Sequence, residues 1–218
     1  MSRMFPFITR TWNPLGGKCQ HECSYCWARK LAEQKKMMKY QGCNRIYPKE
    51  LQKQFKPSDF IFVCDMCDLF GDWVFKPNVQ AILDVISGSP ARFLLLTKNP
   101  KRYREFEIPL NCVCGATIEC DMNFKVSGNA PTPYSRIMDL RDLRIVNPKM
   151  VSIEPIMNFT ENFPYMIAFF KPEFVAVGYD NYHNGLPEPS MSKTMMLIDV
   201  LESFGVKVYR KTLREVSS

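Results

Sequence analysis

The chain has 218 residues, 46% of them hydrophobic and 23% charged, with a net charge of +7 and nine cysteines. That length suits one sizeable core and not two comfortable domains, so a single domain over 1–218 is expected. No apolar run approaches the roughly 20 residues of a membrane helix, and "MSRMFPFITR" has no apolar core followed by a small-residue cleavage site, so the expectation is a cytoplasmic protein with no membrane association and reduced thiols, not a disulfide framework.

In chain order, "FITRTW" is a candidate first strand, and "FIFVCDM" (60–66) reads as a buried one, short, apolar and β-branched. "NVQAILDVI" is a helix with Val79, Ile82, Leu83 and Ile86 on one face. "RFLLLTK" (92–98) is the next strand, and "PKRYREF" begins with a proline suited to a first helical turn. The strands "CVCGATIE" (112–119), "MVSIEP" (150–155) and "FVAVGYD" (174–180) alternate with the helices "PYSRIMDLRDLR", "TENFPYMIAFFK" and "SKTMMLIDVLESFG". The last helix starts on a serine cap and stops at a glycine, and "KVYRKT" (207–212) is a final strand.

This alternation implies βαβ units and a parallel sheet with right-handed crossovers. Six or seven units fall short of the ~250 residues of a full eight-unit barrel. The expected fold is therefore α/β, an open partial (β/α)6-7 barrel, with a flat doubly wound sheet as its rival. Polar residues gather at the C-terminal ends of the strands: Cys64, Asp65 and Asp68; Thr97, Lys98 and Asn99; Thr117, Glu119 and Asp121; Ser152 and Glu154; Tyr179, Asp180 and Asn181. Parallel sheets place their sites at this rim.

The densest chemistry lies in "NPLGGKCQHECSYCWARK", residues 13–30. Cys19, Cys23 and Cys26 supply three thiols within eight residues. A structural zinc site wants four ligands. His21, Cys43 or Cys64 could join the three, but a second knuckle is missing and His21 sits awkwardly inside the loop. Iron–sulfur ligation is the other thiolate-rich choice. Three cysteines on a 4Fe–4S cube leave one iron open to an amine and a carboxylate.

"CQHECSYC" reads C-x-x-x-C-x-aromatic-C, with Tyr25 as the aromatic residue. It resembles the signature of the radical S-adenosylmethionine (SAM) superfamily. "TWNPLGGKC", "DLFGDWV", "LLLTKNPKRY", "TIE" and "SIEPI" further resemble a group of short phage- and prokaryote-associated radical SAM proteins, a group similar to spore photoproduct lyase, a DNA-repair enzyme. The resemblance implies a 4Fe–4S cluster on Cys19, Cys23 and Cys26, and SAM cleaved reductively to methionine and a 5′-deoxyadenosyl radical that takes a hydrogen atom from the substrate. It implies Tyr25 and the backbone near Trp27 against the adenine, and Lys98 on the methionine carboxylate. Thr117 and Glu119 would meet the ribose or the amino-acid moiety. Asp68 would meet the SAM amine, although the usual Gly-Gly-Glu pattern is absent. A one-electron reductant of flavodoxin or ferredoxin type is the implied partner.

Of the remaining cysteines, Cys112 and Cys114 suit core packing on a strand. Cys64 and Cys67 form a second C-x-x-C, readable as an auxiliary cluster site or as small buried hydrophobes. Cys120 is the first candidate for a catalytic hydrogen donor, with Tyr40, Tyr179 and Tyr182 as alternatives. Basic runs interleaved with Tyr103, Phe106, Tyr134 and Tyr209 suggest a phosphate-tracking surface and a nucleic-acid or nucleotide-bearing substrate. A peptide or small metabolite is the alternative, and a non-catalytic iron–sulfur sensing module is a third reading.

Overall fold

The computed structural model describes residues 5–214; Met1–Met4, part of the stretch read above for an export signal, lie outside it. Seven strands form one sheet in the order β1 (Arg10–Trp12), β4 (Phe60–Val63), β5 (Arg92–Thr97), β6 (Cys112–Thr117), β7 (Lys149–Ile153), β8 (Phe174–Val177) and β9 (Lys207–Arg210). Every neighbouring pair is parallel. A small antiparallel pair, β2 (Leu15–Gly16) with β3 (Arg45–Ile46), stands beside it.

The sheet is curled into a half-barrel. Phe7 decides this against the flat alternative. β4 and β9 are five strands apart, roughly 24 Å in a flat sheet. Yet the Phe7 ring lies 5.5 Å from Phe60 on β4 and 4.7 Å from Tyr209 on β9. With Phe5 and Ile8 it plugs the N-terminal end of the concave face, where Phe62, Leu94, Val113, Met150 and Ala176 converge. Side chains alternate along a strand, so the same inner face continues upward as Lys98, Thr117, Ser152, Glu154, Gly178 and Lys211. The bottom of the half-barrel is dry and its mouth is polar.

The outer face carries Ile61, Phe93, Leu95, Cys114, Val151 and Val175 against the helices. α1 (Trp27–Gln34) and the short α2 (Pro48–Leu51) precede β4. α3 (Lys76–Ser87) buries Val79, Ile82, Leu83 and Ile86, the face expected from their spacing. α4 (Pro133–Arg141) is capped by the Thr132 hydroxyl, which accepts from Ser135 N–H at 3.2 Å. α5 (Phe163–Phe169) starts later than its sequence pattern, with Pro164 in its first turn. α6 (Met191–Ser203) is capped by Ser190, not Ser192, and stops before Gly205 at φ 77°. Residues Pro100–Glu105, read as a helix start, form a 3-10 helix. No helix among the described residues is long and apolar enough to cross a membrane.

Candidate metal and cofactor site

The cysteine loop leaves β2 through two glycines. Gly17 has φ 96°, and a Cβ there would stand 2.6 Å from the Cys43 carbonyl oxygen, so only glycine lets the two segments cross. The loop has no secondary structure until Cys26, whose sulfur accepts the Arg29 N–H at 3.4 Å and caps α1. Its shape is imposed from outside, by the segment after β6. Ser24 N–H donates to the Val126 carbonyl at 2.8 Å, and Asn129 N–H to the His21 carbonyl at 2.7 Å. The Cys23 thiol donates to the Ser127 carbonyl at 3.6 Å. Gly128, at φ 55°, lies against the His21 carbonyl with no room for a Cβ.

Two buried carboxylates pin the loop to the sheet. Asp68, after β4, receives His21 Nε2 at 2.8 Å, the Thr97 hydroxyl at 2.7 Å, and the backbone N–H groups of Lys98 at 2.8 Å and Phe70 at 2.9 Å. Burial would raise its pKa, but His21 and the other donors hold it below the ordinary value. Glu119, beyond β6, is 0% exposed. It receives the Tyr25 hydroxyl in a short hydrogen bond and the Ser127 hydroxyl at 3.0 Å. Lys98 Nζ lies 3.2 Å from it and Arg136 Nη2 2.9 Å. The Arg136 contact is close but off-axis for a hydrogen bond to Oε2, so it acts as charge pairing. Burial pushes the Glu119 pKa up, and Arg136 and Lys98 overcome it and hold it far below the ordinary range.

The donor set fits an iron–sulfur cluster. All nine cysteines are free thiols. Cys26 accepts the backbone N–H of Arg29 at 3.4 Å; N–H bonds to sulfur favour thiolate and tune cluster potentials. Without a cation, burial and then Asp68 push Cys19 up to about 12, and burial raises Cys23 against the pull of Lys98. A bound metal reverses that by deprotonating its thiols. Among the described residues no three His, Cys, Asp or Glu side chains close around a single ion. The knuckle-type zinc reading therefore has no preformed cage.

The structure thus brings Cys19, Cys23, Tyr25, Asp68, Lys98 and Glu119 into one connected cluster, with Cys26 beside it at the head of α1. Lys98 also stands over the Tyr25 ring at 5.3 Å. Trp27 opens α1 half-buried, and Thr117 ends β6 on the inner face. The Asp68 oxygens are filled by the chain itself, which makes this residue a brace of the loop. Cys120 is buried, its thiol donating to the Met122 carbonyl at 3.0 Å and its pKa pushed by burial to about 12. Cys112 and Cys114 are core residues. Cys64 and Cys67 are buried, and the Cys67 thiol donates to the Leu15 carbonyl at 3.7 Å. Tyr179 is buried, its hydroxyl against Thr194 at 2.7 Å.

Sequence reasoning missed Arg136 and Ser127, and weighed His21 only as an awkward fourth zinc ligand. Arg136 belongs to a basic run read as surface, yet it is 0% exposed. Arg102 and Tyr103 are buried as well, Arg102 by donating to the Gly71 and Val74 carbonyls. The proposed phosphate-tracking surface loses these three residues. The one usable signal for Arg136 was its place among apolar Ile137 and Leu140, the buried face of α4.

The sequence pattern of a family described as "Protein of unknown function (DUF5131)" matches residues 4–202. The chain belongs to the DUF5131 family. No curated protein matches it in sequence. Among solved structures, a point mutant of spore photoproduct lyase is similar, with a TM-score of 0.58 over 92% of this chain and 75% of that one, at 9% identity. What is shared at that identity is the fold, a parallel α/β half-barrel.

Proposed function

We propose that this DUF5131 protein is a radical SAM enzyme, with a 4Fe–4S cluster on Cys19, Cys23 and Cys26 and SAM bound at the inner rim. The observation that carries the reading is the position of the three-thiol loop, braced by two buried carboxylates over the polar mouth of a parallel half-barrel. When bound, the cluster supplies the electron that splits a carbon–sulfur bond of SAM and so starts hydrogen-atom abstraction from a substrate.

The chain's own part is to hold and exclude. Lys98 has three N–H donors, of which Glu119 needs one, so the ammonium retains donors for the carboxylate of SAM. Tyr25 is fixed by its hydroxyl to Glu119, and together with the backbone near Trp27 it would wall the adenine. Thr117 faces the same interior for the ribose. Below them the apolar plug of Phe5, Phe7 and Ile8 keeps water from the closed end.

The test is anaerobic reconstitution. The protein should take up iron and sulfide in equal amounts and release 5′-deoxyadenosine from SAM with a strong reductant. The variant Cys19→Ala/Cys23→Ala/Cys26→Ala should lose both metal and product. Full iron retention by that variant, or one equivalent of zinc in protein prepared without oxygen, would overturn the reading.

A further inference from the structure

Residues 21–30 cross the mouth of the half-barrel and meet the strand ends in order. His21 bonds to Asp68 after β4, and Tyr25 to Glu119 beyond β6. Lys30, on the first turn of α1, donates to the side-chain carbonyl of Asn184 in the loop after β8. The first two ties are buried: the His21 and Asp68 side chains are 5% and 8% exposed, and Glu119 is 0%. The third joins two half-buried residues. A hydrogen bond within reach of water is exchanged for water at little net cost, so this third tie is the one that can release.

The loop that receives Lys30 is a small rigid piece on two fixed feet. At the first foot, the Asp180 carboxylate accepts the N–H groups of Tyr182, at 3.0 Å, and Asn184, and the Asn184 side-chain amide at 2.8 Å. The Asp180 N–H donates to Glu188 at 2.9 Å, and Arg214 bonds to both Glu188, at 2.8 Å, and the Asp180 carbonyl, at 3.0 Å. At the second foot, the Pro187 carbonyl accepts the Asn158 N–H at 2.6 Å. Between the feet, residues 181–185 hydrogen-bond to elements outside the loop at two points among the described residues. These are Asn184 with Lys30, and Asn181 with Glu154 at 3.5 Å, the outer limit of such a bond. His183 and Gly185 flank Asn184 in left-handed backbone at φ 51° and 66°, and a Cβ on Gly185 would meet nothing within 4 Å. Asn181, Tyr182 and His183 are exposed. The tip thus has anchored ends, internal bonds that travel with it and little packing to hold it down.

Under the tip lies the far half of the mouth. Asn181 rests on one Glu154 oxygen, and Lys211 Nζ is hydrogen-bonded to the other. Gly178 lets that pair form: a Cβ there would stand 3.0 Å from the Lys211 Cβ and 3.3 Å from Glu154 Oε1. Glu154, Gly178 and Lys211 follow β7, β8 and β9, whereas Lys98, Thr117 and Glu119 belong to β5 and β6. The mouth therefore has two polar compartments. Residues 21–25 close the first with buried bonds, and Lys30 with Asn184 closes the second.

We propose that residues 181–185 are a lid over the Glu154–Lys211 compartment, that the Lys30–Asn184 bond is its latch, and that the substrate enters there, on the side of the mouth away from SAM. The assignment of the compartment to substrate rests on the function inferred above, and the latch does not. The entering group takes the place of Asn181 at Glu154 Oε1, so it carries an N–H or O–H donor.

The test is chymotrypsin cleavage of the full chain without cluster. The cut after Tyr182 is quantified by mass spectrometry against cuts after Tyr165 and Phe169, exposed aromatic residues of α5. Lys30→Met removes the donor and keeps the length of the side chain. It should be cut after Tyr182 about fivefold faster or more, because cleavage follows the population of the open form. Lys30→Arg supplies a donor again and should return toward the parent. Neither variant should change the cuts in α5. Equal acceleration at all three sites would reduce the effect to general destabilisation and overturn the lid. So would an unchanged cut after Tyr182. After reconstitution, Lys30→Met should bind SAM within about twofold of the parent by equilibrium binding; a loss as large as that of Lys98→Ala would put the contact on the SAM side and overturn the two-compartment division. Iron and 5′-deoxyadenosine measured on the same samples judge the enzyme assignment separately: their absence removes that assignment, whereas the Tyr182 cut alone decides the latch.

Discussion

Glu119→Gln is the sharpest test of how this site is built. The substitution keeps size and most hydrogen-bonding capacity and removes one negative charge. Arg136 stays fully buried, and its bonds to the Pro131 carbonyl at 2.9 Å, the Ser127 hydroxyl at 3.1 Å and the Thr117 carbonyl satisfy its N–H groups without neutralising its charge. Lys98 is 14% exposed and can recover some water, so the loss falls mainly on Arg136. Removing one partner of a buried pair costs about 3–5 kcal/mol, because the other charge is left uncompensated. For a chain of this length each kcal/mol moves the melting temperature by about 2–4 °C, so the apo variant should melt roughly 6–20 °C lower at pH 7. Thermal melts followed by circular dichroism and urea midpoints should agree on the sign. Glu119→Gln/Arg136→Met removes the stranded charge and should regain part of the loss. A single variant within about 0.5 kcal/mol of the parent would refute the reasoning, since surface-like changes are of that size.

Three further outcomes follow from the same geometry. Gly128→Ala forces a side chain into left-handed backbone against the His21 carbonyl; it should lose at least about 1–2 kcal/mol in urea unfolding from the backbone alone and hold less iron after reconstitution. Asp68 and Glu119 both have folded pKa values below their ordinary 3.8 and 4.5, so the unfolded chain binds more protons in acid. Their stabilisation is complete above those ordinary values and is lost as pH falls below them, so urea midpoints of the apo protein should drop toward acid, less steeply in Asp68→Asn. Lys98→Ala should keep its iron but bind SAM about tenfold to a hundredfold more weakly by equilibrium binding, the equivalent of one charge-assisted hydrogen bond; unchanged affinity would leave Lys98 as a counter-charge for Glu119 alone.

Most of the fold is legible in the sequence because parallel strands are buried on both faces and therefore read as short apolar runs, as in "FIFV" and "RFLLLT". The curl is not legible. It depends on one ring, Phe7, reaching strands that lie some 50 and 200 residues further along the chain. The three thiols and Lys98 are legible from spacing and from their place at a strand end. The role of Asp68 is not, because a carboxylate at a strand end looks the same whether it faces a ligand or is filled by His21, Thr97 and two backbone N–H groups. Arg136 fails for the same reason in reverse: sequence shows a charge but not its partner, and Glu119 is seventeen residues away across a βα connection.

These long-range bonds also explain how an irregular loop is held in one shape. Loops owe their order to what surrounds them, and this one is held from three separate parts of the chain: Asp68 after β4, Glu119 and residues 126–129 after β6, and Arg136 in α4 through Glu119. A buried ion pair adds little net stability compared with apolar packing, because desolvation offsets its attraction. Its value here is directional. Glu119 can satisfy Tyr25, Ser127, Lys98 and Arg136 together in only one arrangement, and that arrangement fixes the ring and the ammonium that flank Cys23. A helix on the outer layer thereby sets the geometry at the mouth, so substitutions at Arg136 should disturb cofactor binding without touching the cofactor.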